Sequence, residues 1–394
     1  MTAGLRIAIV GGGLGGLAAA LFLRQAGAEV TVYEQSAELR EAGAGIVISP
    51  NMVRPLARLG FAGQLEAFAV RLEAAWEFRR WEDGRVLSVQ RMEACRELYG
   101  ADCYVAHRAD LMGLFREALP PEVLRLGQRC VGVEQDGRTV ELTFENRAGQ
   151  RHRVTADAVI AADGIHSTLR ASASADALQE PRFSGLCAFR CLVPASAAPS
   201  MALRPVQTLW LGPGHHFVHY PVSGGRLVNV VAMAPAGEWR TESWIAEGSV
   251  ADLMCEFEGW DARVTQLISA ATDTKRWALY DREPLGRWVD GRLALLGDAA
   301  HAMLPFFGQG AAQAVEDAEV LGGCLNGVES EQVPEALHRY EAIRKPRASQ
   351  VQLMSRGREV QNHLPDGPEQ LKRDEGFAQG DPLRQSAWLY GYDG

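Results

Sequence analysis

Three glycines near the start of the chain constrain its fold more than any other feature. The apolar run Leu5-Arg-Ile-Ala-Ile-Val10 leads straight into Gly11-x-Gly13-x-x-Gly16. Leu14 to Gly27 then has helical character and stops on a glycine suited to a helix C-terminus. Glu29-Val-Thr-Val-Tyr33 follows as a β-branched strand with Glu34 at its end. In such a strand–turn–helix–strand unit each glycine has a physical task. Gly11 makes the tight turn, Gly13 lets main chain approach a pyrophosphate, and Gly16 lets helix and strand pack closely. The helix N-terminus offers free N–H groups to the phosphates. Glu34 can accept hydrogen bonds from a ribose 2′-hydroxyl and disfavours a 2′-phosphate. The unit predicts an α/β chain that binds a dinucleotide, with NAD and FAD both open at this point.

The chain has 394 residues, more than one average domain. Trp76–Trp81 and Arg85–Val89 flank Asp83-Gly84, a hairpin signal. Tyr104–Leu119 reads as a strand end followed by a helix, and Val131–Glu134, Thr139–Phe144 and Arg153–Ala161 as strands. From Phe183 to Ala234 the texture changes to strand-like runs, Gln207–Leu211, His215–Val222 and Leu227–Met233, separated by Gly/Pro turns. Residues 241–272 look helical, Arg292–Gly297 resembles another buried strand, and Gly310–Leu325 a helix of small and apolar residues. The expected fold is a Rossmann-like domain formed by 1–75, 100–175 and 276–345. A mostly antiparallel sheet domain (76–99 and 176–275) is inserted in it, and 346–394 forms a C-terminal helical tail.

Several function classes are disfavoured by composition. The net charge of −9, with arginines scattered rather than gathered in a stripe, argues against nucleic acid. No run approaches the ~20 apolar residues of a membrane helix, and Leu5–Val10 reads as a buried strand rather than a leader. The seven cysteines include no CxxC pair, so reduced, mostly buried thiols in a cytoplasmic protein are expected, with Cys187 and Cys191 packed on a strand. The nine histidines show no ligand spacing, and no metal is expected.

Two later segments narrow the dinucleotide. Ala161-Ala-Asp163-Gly164-Ile-His-Ser-Thr-Leu-Arg170 follows a predicted strand. Leu296-Gly297-Asp298-Ala-Ala-His301 follows another and runs through Pro305-Phe306-Phe307-Gly308-Gln-Gly310 into a helix. Asp298 at a strand C-terminus can bind ribityl hydroxyls. Backbone N–H groups at Gly308, Gly310 and Ala311 can face an anionic ring edge. Both features suit a flavin.

With Gly43-Ala-Gly45-Ile46 and His107-Arg108-Ala-Asp110-Leu111, these segments resemble the class A flavoprotein monooxygenases, the single-component aromatic hydroxylases of the para-hydroxybenzoate hydroxylase type. The match covers most of the chain. Arg347–Gln352 and the tail Trp388–Asp393 are similar to the salicylate, 3-hydroxybenzoate and 6-hydroxynicotinate hydroxylases. The resemblance implies tightly bound, non-covalent FAD, held in part by Gly45, Arg108, Asp163 and Gly164. It also implies NADH or NADPH as a transient co-substrate, O2, and a flavin C4a-hydroperoxide that hydroxylates a small aromatic substrate of phenolic or hydroxypyridine carboxylate type. An FAD oxidase or dehydrogenase without oxygen insertion, and a hydroxylase of a larger phenol, stay open as alternatives. The protein is expected to be a monomer or homodimer. One departure stands out: Phe189-Arg190-Cys191 replaces the family's usual Trp-Arg-Gly, which leaves Arg190 matched and the wall beside it in doubt.

Within His215-His216-Phe-Val-His219-Tyr220, a period of two puts His216 and Tyr220 on one face of a strand and His215 and His219 on the other. Related hydroxylases place a His and a Tyr at the two matching positions, near the substrate's ring hydroxyl. His216 is expected to take a phenolic proton and Tyr220 to orient the ring or relay that proton. Arg190, Pro305, Phe306 and Phe307 are expected to line the pocket. His215, His219 and His301 are expected to be structural.

Overall fold

The computed structural model describes residues 4–39, 44–174, 180–242 and 246–394; Gly43 lies outside them. Strand Arg6–Val10 sits inside a six-stranded sheet, with order Val289–Asp290, Leu293–Leu295, Ala158–Ala161, Arg6–Val10, Glu29–Glu34, Leu124–Leu126. All neighbours are parallel except the first pair, an antiparallel hairpin. Ile7, Ala8, Ile9 and Val10 are all buried. Such a strand, covered on both faces, is apolar without alternation.

Helix Leu14–Gln25 packs along helix Gly310–Leu325. Their small residues allow this approach: a Cβ on Gly322 would come within 3.0 Å of the Phe22 Cβ, and one on Gly15 within 2.9 Å of Leu296. The run expected as one strand over 153–161 is divided. Arg151–Ala156 joins an antiparallel sheet with Gln128–Gln135 and Val140–Asn146, whereas Ala158–Ala161 joins the parallel sheet. Asp157 marks the break, where its carboxylate accepts from the Arg6 main chain at 2.8 Å and from its guanidinium at 3.0 Å.

The eight-stranded sheet has the order Glu247–Gly248, Thr274–Asp281, Arg182–Pro194, Leu227–Pro235, His215–Val222, Val206–Gly212, Ala74–Arg80, Val86–Arg91. It is antiparallel except where Val206–Gly212 runs parallel to Ala74–Arg80. The sheet overruns the expected edge at 275, because Thr274–Asp281 pairs along Arg182–Pro194 from Lys275 to Asp281. The expected helix over 241–272 is instead a short strand at Glu247–Gly248 and two helices, Val250–Glu256 and Ala262–Ser269. Ser249 and Asp261 cap the two helices by accepting from first-turn N–H groups, and 243–245 lie outside the described residues.

A helix of 30 residues, Val333–Asn362, runs straight through the expected boundary at 345/346 with Pro346 inside it. Proline removes one helical hydrogen bond, but Arg344 and Arg347 on either side are fixed by tertiary ion pairs. Among the described residues no helix is long and apolar enough to cross a membrane.

Candidate active site

Gly11 adopts φ +108°, and a Cβ there would collide with the Ala162 carbonyl; one on Gly16 would collide with the Gly11 carbonyl. Both glycines are therefore demanded by packing. Gly13 differs, because a Cβ there meets nothing within 4 Å. Its main chain faces open space at the N-terminus of Leu14–Gln25, where a pyrophosphate fits. The Glu34 carboxylate accepts from the N–H groups of Gly12 at 2.7 Å and Ser36 at 2.8 Å. This fixes its orientation and leaves lone pairs for a ribose hydroxyl.

Asp163 follows strand Ala158–Ala161. Its Oδ2 accepts from the Thr168 N–H at 2.9 Å, and its buried Oδ1 has no partner among the described residues. Burial raises its pKa, against hydrogen bonds from Ser167 and Thr168. Gly164, at φ +80°, has open space beside it. Arg170 donates to the Ala299 carbonyl at 2.8 Å and Arg282 to that of Ile165 at 2.8 Å, binding the Asp163 loop to the Asp298 segment.

Asp298 is exposed at its surface although much protein surrounds it. Burial pushes its carboxyl pKa up, with the charges of His301 and Arg108 opposing. Arg108 begins helix Arg108–Glu117 and also acts on Arg190, which places it between the two. Gly308 takes the left-handed conformation at φ +63°, and Gln309 gives no side-chain cap to helix Gly310–Leu325. The N–H groups of Gly310 and Ala311 thus remain at an uncapped N-terminus. An orphaned carboxylate oxygen, the open side of Gly13 and this N-terminus together fit FAD.

Gln309 is instead drawn into a buried polar network. Its side chain joins Ser49 at 3.1 Å and Asn51 at 3.0 Å, and Asn51 donates to Glu316 at 2.6 Å. Glu316 also pairs with Arg344 at 2.6 Å and Arg347 at 2.7 Å, and Asp317 with Arg344 at 2.8 Å and His301 at 2.6 Å. Burial works against the Arg344 charge, but Asp317 and Glu316 hold its pKa above the ordinary value. His301 is thereby held inside this buried network. Arg347 also donates to the Trp388 and Leu389 carbonyls at 3.0 Å and lies 3.9 Å from the Tyr392 ring. Two motifs far apart in sequence thus form one scaffold under the Gly308–Gly310 turn.

The facing wall comes from the eight-stranded sheet. His216 and Tyr220 point to one side with Val218, Val231 and Met233, and Phe306 and Phe307 pack against that apolar face. Arg190 shares this face: it pairs in register with Val231 and lies 4.1 Å over the Trp277 ring. Phe189 and Cys191, the two departures from Trp-Arg-Gly, turn to the opposite side, into a separate cluster with Cys187. Burial lowers the Arg190 pKa to about 10.

Tyr220 lies beside Asn229 and Gly45. The Gly45 N–H donates to Asn229 at 2.7 Å, and a Cβ on Gly45 would lie 2.6 Å from the Tyr220 hydroxyl. Gly45, expected to serve the cofactor, is required here by the close approach of Tyr220 and Asn229. The Pro305 carbonyl already accepts from the Gly308 N–H at 3.0 Å, leaving one lone pair for another donor.

His215 pairs with Glu256 at 2.9 Å on the far side of the sheet. Neither ring nitrogen of buried His219 has a partner among the described residues. His216 meets a residue that sequence reasoning missed: its Nδ1 lies 2.7 Å from the Nε2 of His363. No local pattern around His363 signals this role.

A family model described as an FAD binding domain matches residues 5–355. The 3-amino-4-hydroxybenzoate 2-monooxygenase PtmB3 of Streptomyces platensis is 44% identical over 389 residues, which are 98% of this chain and 96% of the relative. The 6-hydroxynicotinate 3-monooxygenase of Pseudomonas fluorescens is 36% identical, covering 89% of this chain and 90% of the relative. Among solved structures, HpxO of Klebsiella pneumoniae complexed with FAD and uric acid superposes with a TM-score of 0.86 at 29% identity, covering 98% of this chain and 96% of that one.

Proposed function

The chain belongs to the class A FAD-dependent aromatic monooxygenases, and from that premise we propose that it hydroxylates an amino- or hydroxybenzoate ring using NAD(P)H and O2. The observation that carries this reading is the polar pair His216 and Tyr220 on an apolar wall that faces Phe306 and Phe307. Gly11, Gly13 and Gly16 would hold the pyrophosphate of FAD and Glu34 its adenosine ribose. Arg108, Asp163 and Asp298 would hold the polyol region, and Gly310 and Ala311 the ring edge; Gly308, expected to join them, already gives its N–H to the Pro305 carbonyl and serves as the left-handed turn before them. Bound FAD would supply activated oxygen, with electrons from the nicotinamide.

The chain's own residues then bind, orient and keep water out. Arg190, still cationic near neutral pH, is placed to take a ring carboxylate. Tyr220 keeps its proton, because burial raises its pKa against the opposing charge of Arg190; it orients the ring as a hydrogen-bond donor. His216 is held neutral by burial and by its histidine neighbours, which leaves one ring nitrogen basic.

The relative with the higher identity is named for oxygen entry at C2 of 3-amino-4-hydroxybenzoate. There the amino group at C3 feeds electron density to C2, whereas a phenolate at C4 feeds C1, C3 and C5. On such a ring His216 would accept the proton that nitrogen sheds as oxygen adds. On a 3- or 6-hydroxylated ring it would accept the phenolic proton.

A cavity of about 380 Å³ opens beside the Asp163 loop, lined by Arg170, Arg182 and Arg282 together with Glu180 and Glu283. We place the transient NAD(P)H there, its pyrophosphate against the arginines. The seven free cysteines fit work in the cytoplasm. The test is oxidation of NADH and NADPH by the yellow protein with 3-amino-4-hydroxybenzoate, 3-hydroxybenzoate, salicylate and 6-hydroxynicotinate. Substrate-stimulated oxidation with a product heavier by one oxygen atom is expected. A product that has lost two hydrogens, or no stimulation across the panel, overturns the reading.

A further inference from the structure

We propose that His363 is the second member of a proton relay that starts at His216 and carries the substrate's proton out of the cavity. The inference rests on the hydroxylase reading above. His363 closes the long helix Val333–Asn362, and its carbonyl accepts from the Gly214 N–H at 3.1 Å, which ties the helix end to the turn before His215. The two rings stack at 4.7 Å and 29°, with His216 Nδ1 2.7 Å from His363 Nε2. Phe306 sets its edge against both, at 5.4 Å and 5.6 Å. A pair braced on two sides in this way has little freedom to separate.

Two ring nitrogens at that distance share one proton. Burial keeps the pair uncharged, with His363 lowered to about 4 and His216 disfavoured further by the charge of a protonated His363. The relay needs the His363 proton on Nδ1, a buried atom with no hydrogen-bond partner among the described residues, and a bare Nε2 towards His216. His216 must then donate from Nδ1, and its own Nε2 becomes the basic atom for the cavity.

The proton balance is simple. The N–H or O–H bond of the substrate breaks and an N–H bond forms at His216 Nε2. The His216 Nδ1 proton passes to His363 Nε2, and the proton on His363 Nδ1, which no protein group holds among the described residues, passes to a water that reaches this half-buried residue. Both rings end neutral with exchanged tautomers. The charged and titratable groups that face the pair are few. His215 on the same strand is held by Glu256 at 2.9 Å. Arg373 on helix Pro368–Phe377 disfavours a charge on His363 and is itself paired with Asp374 at 2.8 Å.

A merely propping His363 and a relaying one separate in two variants. His363→Gln keeps an oxygen to accept from His216 Nδ1 but has no second nitrogen to pass a proton. His363→Ala opens a space that imidazole can enter. With 3-amino-4-hydroxybenzoate as probe, H363Q should keep its FAD absorbance and a KM within about twofold, while kcat falls at least tenfold and recovers as pH rises. Imidazole should restore part of the H363A rate. Nitrogen NMR of the resting histidine-labelled protein should show His216 protonated at Nδ1 and bare at Nε2. H363Q with the wild-type kcat and pH profile, or His216 protonated at Nε2, overturns the relay. If the unaltered enzyme consumes none of the aromatic panel, the hydroxylase reading falls instead, and the nitrogen spectrum still decides the pair.

Discussion

Replacing Gly45 by alanine tests whether the Gly45–Tyr220–Asn229 contact sets the geometry of the site. The backbone there is not in the left-handed region, so the methyl group brings no conformational strain of its own. It would stand 2.6 Å from the Tyr220 hydroxyl, 2.6 Å from its ring edge and 2.6 Å from the Asn229 side-chain carbon. Ordinary contact begins near 3.4 Å, so Tyr220 must move by about 1 Å or the strand Gly45–Ile48 must lift. Tyr220 and Asn229 are 4% and 0% exposed and have no solvent to retreat into. Overpacking of this kind costs about 1–3 kcal/mol. At a melting entropy of about 2.1 cal/mol/K per residue, that lowers Tm by roughly 1–4 °C for a chain of 394 residues. The effect on turnover is larger, because a 1 Å displacement of an orienting group costs roughly 10²-fold in rate. Differential scanning fluorimetry and steady-state kinetics on Gly45→Ala measure both. Combining it with Tyr220→Ala should be less than additive in stability, since the clashing ring is gone. A G45A protein with unchanged Tm, kcat and KM refutes the reasoning.

Gly13→Ala should leave the apo protein's Tm unchanged, because its methyl group meets no protein atom, yet weaken FAD at least tenfold, about 1.4 kcal/mol, in a fluorescence titration; equal affinity would place the pyrophosphate elsewhere. Arg344→Met strands Glu316 and Asp317 in the interior and should cost about 3–5 kcal/mol, a Tm loss of roughly 4–6 °C. A loss under 1 °C would show that Arg347 and His301 suffice. For pH, burial lowers His219 to about 3 and His363 to about 4. Their folded values lie below the unfolded value near 6.5, so their full contribution is present above that pH and is lost as pH falls toward 4 and then 3. At pH 5 the penalty for His219 is about 2 kcal/mol, and a His219→Phe variant should lose less stability between pH 7 and pH 5 than the parent; an equal loss in urea titrations contradicts this.

Much of the cofactor side was legible in the sequence because its signals are local. Gly11, Gly16 and Glu34 lie within one strand–helix–strand unit, and each is tied to a neighbour inside that unit or to the next strand. Asp163 and Asp298 were recognisable because each follows an apolar run that becomes a strand. The shared face of His216 and Tyr220 follows from the pleat alone. Elsewhere local signals misled: the apolar alternation over 153–161 gave no sign that Asp157 divides it between two sheets, and residues 241–272 break into two capped helices.

What remained hidden depends on which distant segment covers which face. Periodicity shows that His216 looks inward, but not that His363, 147 positions later, meets it. Nor does it show that Glu316, set among small and apolar residues, gathers Asn51, Arg344 and Arg347 beneath the Gly308–Gly310 turn. A visible hint existed in the adjacent acids Glu316 and Asp317 within an apolar helix, since buried charges require partners. The sequence by itself determined the glycine turn, the strand ends and the faces, because main-chain sterics and a two- or 3.6-residue repeat act over a few residues. Only the tertiary structure decided the histidine pair and the buried ion network, because burial and charge pairing depend on what the folded chain brings alongside.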